Sequence, residues 1–235
     1  MTVRAPFSQL IEACAGLGIA LEPGSAGRMA GLLDAMAIEP QNLTAIDVLR
    51  DGVARHLVDS LSGLLLPVVR AARSIVDLGS GGGFPGIPLA IARPDCAVTL
   101  VESERAKADW LARATPDLPN VRTVAERTET LATREREQWS LATARALAPL
   151  PVLVVLAAPL VAVGGTLVAW RGPRDPSEEE RAAAVCAQLG FAPGPITSVT
   201  PYPGVERYLH EFRKIAPTPA RIPRRPGRAS KRPLA

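Results

Sequence analysis

Residues 74–86 read Ser-Ile-Val-Asp-Leu-Gly-Ser-Gly-Gly-Gly-Phe-Pro-Gly, and this stretch carries the densest chemistry in the chain. Ile75, Val76 and Leu78 form a short apolar run, as a strand buried on both faces requires. Gly79, Gly81 and Gly83 follow at alternate positions, where the lack of a Cβ lets a ligand approach the backbone. Pro85 and Pro88 suit the first turn of a helix, where missing N–H groups cost little. Strand, glycine turn and helix start together describe a nucleotide-type site at the carboxyl end of a parallel strand. A second apolar run, Val98-Thr-Leu-Val-Glu102, ends in an acid about 20 residues beyond the first glycine, where a carboxylate can accept hydrogen bonds from ribose hydroxyls. Glu102 could also simply open the following helix, since helix starts favour acids.

Two patterns overlap in the glycine turn. Gly81, Gly83 and Gly86 match Gly-x-Gly-x-x-Gly, which would seat a dinucleotide pyrophosphate. Asp77, Gly79, Gly81 and Gly83 read Asp-x-Gly-x-Gly-x-Gly, which resembles the first motif of the S-adenosylmethionine-dependent methyltransferases. That cofactor has no pyrophosphate. Its sulfonium and amino group favour a carboxylate beside the turn, and Asp77 supplies one.

The elements that must position these residues follow from hydrophobic patterning. Apolar runs recur at 75–78, 97–101, 121–125, 140–144 and 166–170, with helical stretches at 86–92, 104–114, 127–137, 149–162 and 176–189 between and after them. This alternation predicts an α/β fold, a doubly wound, mostly parallel Rossmann-like sheet covered on both faces. Right-handed crossovers then bring every βα turn to one edge. Thr128-Glu129 falls after the third strand, where an adenine ring could lie, and Arg145 falls just past the fourth, where a substrate would meet the cofactor. Two extended runs around Pro201–Gly204 predict a terminal antiparallel hairpin, which brings the sheet to seven strands. Residues 6–66 carry three helical stripes, broken at Gly24 and Pro40. Within them Arg55 faces Asp59, and His56 faces Ser60, at the four-residue spacing of a regular helix. The expected organisation is an N-terminal helical extension (1–72), a catalytic domain (73–216) and a tail (217–235).

Composition narrows the class. The chain of 235 residues is 47% hydrophobic, enough for a full core, and holds no apolar run long enough to span a membrane. Cys14, Cys96 and Cys186 are odd in number and far from any His cluster, so they read as small buried hydrophobes of a reducing, cytoplasmic protein with no metal site. The net charge of +4 is unevenly spread. Arg213, Lys214, Arg221, Arg224, Arg225, Arg228, Lys231 and Arg232 give the last 23 residues +8, which leaves −4 for the first 212. A cationic tail on a near-neutral body fits a polyanionic partner. Its prolines predict a mobile arm, remote from the cofactor crevice.

These residues converge on a known family. The chain resembles the bacterial 16S ribosomal RNA guanine-N7 methyltransferases, the glucose-inhibited division protein B family. Asn42-Leu-Thr44 with Arg55-His56-x-x-Asp59-Ser60 resembles its N-terminal signature. Asp77 through Ile91, and Phe84-Pro-Gly-Ile-Pro88 most specifically, resembles its cofactor motif. Ala144-Arg145-Ala146 and the Thr218-Pro219 to Leu234 tail resemble later segments of the family. The resemblance implies a class I methyltransferase that carries a methyl group from S-adenosylmethionine to guanine N7 of 16S rRNA in the small subunit, releasing S-adenosylhomocysteine. Together with the composition, the expectation is a metal-free, monomeric enzyme without membrane contact. By it, Gly79, Phe84, Thr128, Glu129 and Arg145 contact the cofactor, with Asp77, Gly81 and Glu102 completing the site. Arg145 is the catalytic candidate, and Arg55, His56, Arg171 and the tail bases Arg221, Arg224, Arg225, Arg228, Lys231 and Arg232 face RNA. Where the family usually shows Lys-Gly after the fifth strand, this chain has Arg171-Gly172, a change that suits a phosphate contact better than proton transfer. Guanine N7 carries a lone pair and no proton, so its methylation needs positioning and no general base. The competing readings are another class I methyltransferase acting on protein or a small molecule, a nicotinamide-dependent oxidoreductase and a non-catalytic RNA-binding module.

Overall fold

The computed structural model describes residues 7–231 and Leu234. Seven strands form one sheet in the order β3-β2-β1-β4-β5-β7-β6. They are β1 (Ser74–Leu78), β2 (Ala97–Val101), β3 (Val121–Val124), β4 (Trp139–Arg145), β5 (Val161–Arg171), β6 (Phe191–Tyr202) and β7 (Val205–Lys214). The first five run parallel, while β7 pairs antiparallel with both β5 and β6. β1 and β4 are neighbours, so the strand order reverses between them and opens a crevice at their carboxyl ends.

The helices are α1 (Phe7–Gly16), α2 (Pro23–Ala37), α3 (Val48–Gly52), α4 (Asp59–Leu61), α5 (Pro67–Ala71), α6 (Gly86–Ala92), α7 (Arg105–Ala114), α8 (Thr128–Leu131), α9 (Leu150–Ala157), α10 (Pro176–Leu189) and α11 (Arg228–Lys231). Asp175 caps α10 by accepting from the backbone N–H groups of Ser177 and Glu178, and Gly190 ends it in the left-handed conformation. The apolar stripes of α1 and α2 join Leu57, Leu61, Ile75, Leu89 and Leu100 in one core, so the N-terminal helices pack on one face of the sheet. The other face carries α9 and α10 in a second core with Val76, Leu78, Ala142 and Leu167.

Four expectations change. The third interstrand helix is a single turn, α8, and not a helix across 127–137. The fourth, α9, stops at Ala157, and Val161-Ala-Val163 opens an eleven-residue β5. Val53–Val58 forms a π-helical turn between α3 and α4. Its five-residue hydrogen-bond spacing rotates the following residues, so Arg55 does not meet Asp59. Arg55 pairs instead with Asp51 at 3.7 Å, and Ser60 Oγ donates to the backbone oxygen of His56 at 2.5 Å. The last change is the tail, which is packed. Ile222 and Ala229 are buried in the second core. The Arg136 guanidinium donates to the backbone oxygens of Thr218 (2.6 Å), Pro219 (3.2 Å) and Ile222. Lys214, counted above among the tail's cations, is buried and donates to the Ala158 and Leu189 oxygens at 2.9 and 3.2 Å.

Candidate active site

A cavity of about 520 Å³ lies at the carboxyl ends of β1, β2 and β4. The glycine turn forms its floor through Gly79, Ser80, Gly81 and Gly82. Gly81 has φ +55°, and a Cβ built on it would meet only the Gly79 oxygen, at 3.9 Å. Gly81 thus leaves open the volume that a side chain would occupy. Gly86 has a different reason. A Cβ there would come within 2.4 Å of Leu100 and 2.8 Å of the Asp77 carboxylate, so this glycine serves helix-to-strand packing. Gly83 is crowded as well, since a Cβ there would come within 2.4 Å of Ile87, so only Gly81 of the Gly-x-Gly-x-x-Gly match borders open space.

The two acids take different roles. Glu102 lines the crevice, and its two carboxylate oxygens accept from the backbone N–H groups of Gly81 (2.9 Å) and Glu104 (2.8 Å). Backbone amides thus orient the carboxylate at the cavity wall, which suits hydroxyl donors from a bound ribose. Asp77 does not line the crevice. It is buried beneath the turn, accepting from Thr143 Oγ1 at 2.7 Å and from the Gly86 N–H at 3.3 Å. Burial raises its carboxyl to about 6, against the pull of those hydrogen bonds. Asp77 therefore shapes the turn. Glu102→Ala is expected to weaken cofactor binding by about 1–3 kcal/mol through loss of a charge-assisted hydrogen bond. Calorimetric titration checks this, and an unchanged affinity would make Glu102 only an anchor for Gly81.

A cationic cluster closes one side of the crevice. Phe84, Arg145 and His56 line it together. His56 stacks on Phe84 with ring centroids 4.3 Å apart, and the Arg145 guanidinium lies 5.4 Å from the Phe84 centroid. Behind them the buried Asp59 accepts from Arg145 Nη1 at 3.0 Å and from Arg207 Nε at 2.8 Å. The Arg145 Nη2 faces His56 Nδ1 at 3.1 Å. Because a guanidinium only donates, Nδ1 accepts and the imidazole proton sits on Nε2. Burial, reinforced by Arg145 and Arg55, lowers His56 to about 3, so the ring is neutral at physiological pH. Its Nε2 is buried without a partner. Ala146 follows Arg145 with φ +55°, a conformation that non-glycine residues adopt rarely and that clusters at functional turns.

The RNA-facing expectations divide. Arg55 is exposed, whereas His56 is a buried member of the cluster. Arg171 is bidentate on Glu178 at 2.9 and 2.7 Å, and the same carboxylate accepts from the Leu150 N–H. That clasp ties β5 to the starts of α9 and α10 and engages the half-buried Arg171 within the protein. Arg221, Arg225, Arg228 and Lys231 are exposed and Arg224 is half-buried, while Arg232 lies outside the described residues. Thr128, Glu129 and Arg145 all reach the crevice as expected. The sequence reading missed Arg207 and Gly227. Arg207 arrives from a hairpin about 150 residues distant in the chain from Asp59. Gly227 belongs to the tail that was expected to be remote.

The sheet order, the glycine turn with an acid after β2, and a crevice at the switch point define a class I S-adenosylmethionine-dependent methyltransferase. Solved structures agree on the fold. A 16S rRNA (adenine(1408)-N(1))-methyltransferase from Catenulisporales acidiphilia superposes with a TM-score of 0.51 at 17% identity, over 65% of this chain and 90% of that one. The family profile of rRNA small subunit methyltransferase G matches residues 34–202, and the chain belongs to that family. Ribosomal RNA small subunit methyltransferase G of Chloroflexus aggregans is 42% identical over 96% of this chain and 97% of its own length. The Deinococcus radiodurans relative of the same name is 37% identical over 93% and 88%.

Proposed function

We propose that the protein methylates N7 of a guanine in the 16S rRNA of the small ribosomal subunit, working as a cytoplasmic monomer. The observation that carries this reading is the donor character of the cluster beside the glycine turn. Arg145 presents N–H groups, and the only accepting nitrogen of His56 is occupied by Arg145. Such a cluster is poorly built to remove a proton. It suits a nucleophile that carries a lone pair and no proton, flanked by a hydrogen-bond acceptor. The N7 and O6 edge of guanine has that pattern.

The residues present fit the cofactor. Gly81 leaves room over the backbone, Glu102 is oriented at the wall for ribose hydroxyls, and Thr128 and Glu129 supply polar groups for the base. When bound, S-adenosylmethionine supplies an electrophilic methyl group. The chain's own contribution is positioning and charge. Asp59 holds Arg145 and Arg207 in place, Arg145 lines the crevice as the donor for an acceptor edge, and Phe84 supplies a flat apolar wall. The exposed Arg55, Arg225, Arg228 and Lys231 are suited to RNA phosphates.

Nucleoside mass spectrometry of small-subunit rRNA provides the test. 7-Methylguanosine is expected in cells carrying the gene, absent after its deletion, and restored by the purified protein acting on ribosomes, 30S particles or naked rRNA. Methyl found instead on a ribose, on guanine N2 or on protein would overturn the reading.

A further inference from the structure

The tail borders two cavities. Its inner side belongs to the cofactor crevice. Gly227, at φ +75°, lines that cavity, and its N–H donates to Glu129 Oε1 at 2.8 Å. Its outer side carries Arg221, Arg225 and Arg228, all exposed, around a second cavity of about 370 Å³ that Arg224 also lines. Two anchors hold the segment between these faces. Upstream, Arg136 clasps three backbone oxygens, and the Thr218 N–H donates to the Glu137 carboxylate at 2.6 Å. Downstream, Ala229 is buried and α11 packs against α9. Only a few residues separate the anchors, so a ligand that shifts or immobilises the outer arginines acts on Gly227 as well.

We propose that residues 217–231 form a folded strap that couples the cofactor crevice to the RNA phosphate backbone, so that each ligand tightens the binding of the other. This rests on the reading of RNA as the substrate. The physical basis is shared ordering. The strap supplies one wall of the crevice through Gly227 and Glu129. Phosphates bridging the outer arginines hold that wall in place before the cofactor arrives, and a bound cofactor holds the arginines in register for RNA. Coupling of this kind is reciprocal, since both binding equilibria draw on one conformational equilibrium. Arg136 is the positioning residue, because it touches neither ligand and sets where the strap begins.

The experiment measures two affinities on the full chain. S-adenosylhomocysteine binding is titrated by calorimetry with and without a saturating guanine-containing hairpin of small-subunit rRNA sequence. Binding of the same hairpin is followed by fluorescence anisotropy with and without S-adenosylhomocysteine. Each ligand is expected to tighten the other by the same factor, about 5- to 20-fold. Arg136→Ala is expected to weaken S-adenosylhomocysteine binding about tenfold without RNA and to remove the mutual tightening. Equal affinities with and without the second ligand in the native protein would overturn the coupling, as would full tightening retained in folded R136A. Should R136A fail to fold, the native reciprocity measurement decides alone. A hairpin that binds without altering cofactor affinity defeats only the coupling. A native protein that binds cofactor but no RNA defeats the RNA reading, and the strap proposal with it.

Discussion

Gly81→Val is expected to abolish cofactor binding in a protein that still folds, with a loss of at least about 100-fold, or about 2.8 kcal/mol at 1.4 kcal/mol per tenfold. Two causes act together. Gly81 sits at φ +55°, a region that costs an L-residue about 1–2 kcal/mol and a β-branched one more. The space beside its Cα is open, with nothing nearer than 3.9 Å to a built Cβ, and that space is the crevice. The valine side chain would therefore stand where the cofactor must lie. The same amide also donates to Glu102, so a distorted turn would misplace the acid that is suited to the ribose. Calorimetric titration with S-adenosylhomocysteine and a melting curve separate the two effects. Native-like cofactor affinity in folded G81V would sink the assignment of this turn as the cofactor floor. Gly86→Val is the informative contrast. Its Cβ meets Leu100 and Asp77 inside the core, so it is expected to fail by unfolding.

Asp59→Ala is expected to combine a large loss of stability with loss of methyl transfer. The Asp59 side chain is 2% exposed and holds two arginines, Arg145 at 16% and Arg207 at 22%. Removing one partner of a buried ion pair leaves an uncompensated charge and costs about 3–5 kcal/mol. Burial already pushes the Arg145 guanidinium below its usual range, with Asp59 opposing that shift. Without Asp59, nothing else in the cluster is an anion in direct contact with Arg145, since its remaining partners are the Arg55 oxygen and His56. Chemical denaturation measures the stability term. Labelled-methyl transfer at a temperature where the variant is folded measures the positioning term. Asp59→Asn keeps the shape and tests charge alone. A D59N variant with native stability and native transfer would show that the carboxylate is dispensable, and would refute the account of the cluster given above.

The local elements were legible from sequence where one physical rule dominated. β1, β2, α6 and α10 stand at or within a residue of their expected ranges, because doubly buried strands read as apolar runs and because proline and glycine punctuate helix ends. The parallel run of the first five strands and the terminal antiparallel hairpin also follow from alternation and from short connections. The chemistry of the glycine turn was legible too, since a backbone that must admit a ligand can be recognised by its missing side chains.

What the sequence could not supply was which partner each polar residue takes. Asp59 and Arg55 are four apart, and a regular helix would pair them. A π-turn breaks that spacing, and Asp59 pairs instead with Arg145 and Arg207 from strands β4 and β7. Asp77 stands beside the glycines in sequence yet lies beneath them in space, because Thr143 on the neighbouring strand and the Gly86 N–H hold its carboxylate. Arg171 carries a charge that suited a phosphate, and Glu178 claims it. The tail shows the difference most plainly. Its prolines and arginines are what a solvated arm would contain, and composition alone sets that expectation. Packing is decided by a few residues with partners far away in the chain: Ile222 and Ala229 in the core, Arg136 on three tail oxygens, and Gly227 on Glu129. Local sequence determines backbone preference and hydrophobic period. Pairings between groups distant in the chain exist only once the sheet has brought them together, and in this protein those pairings build the walls of the site.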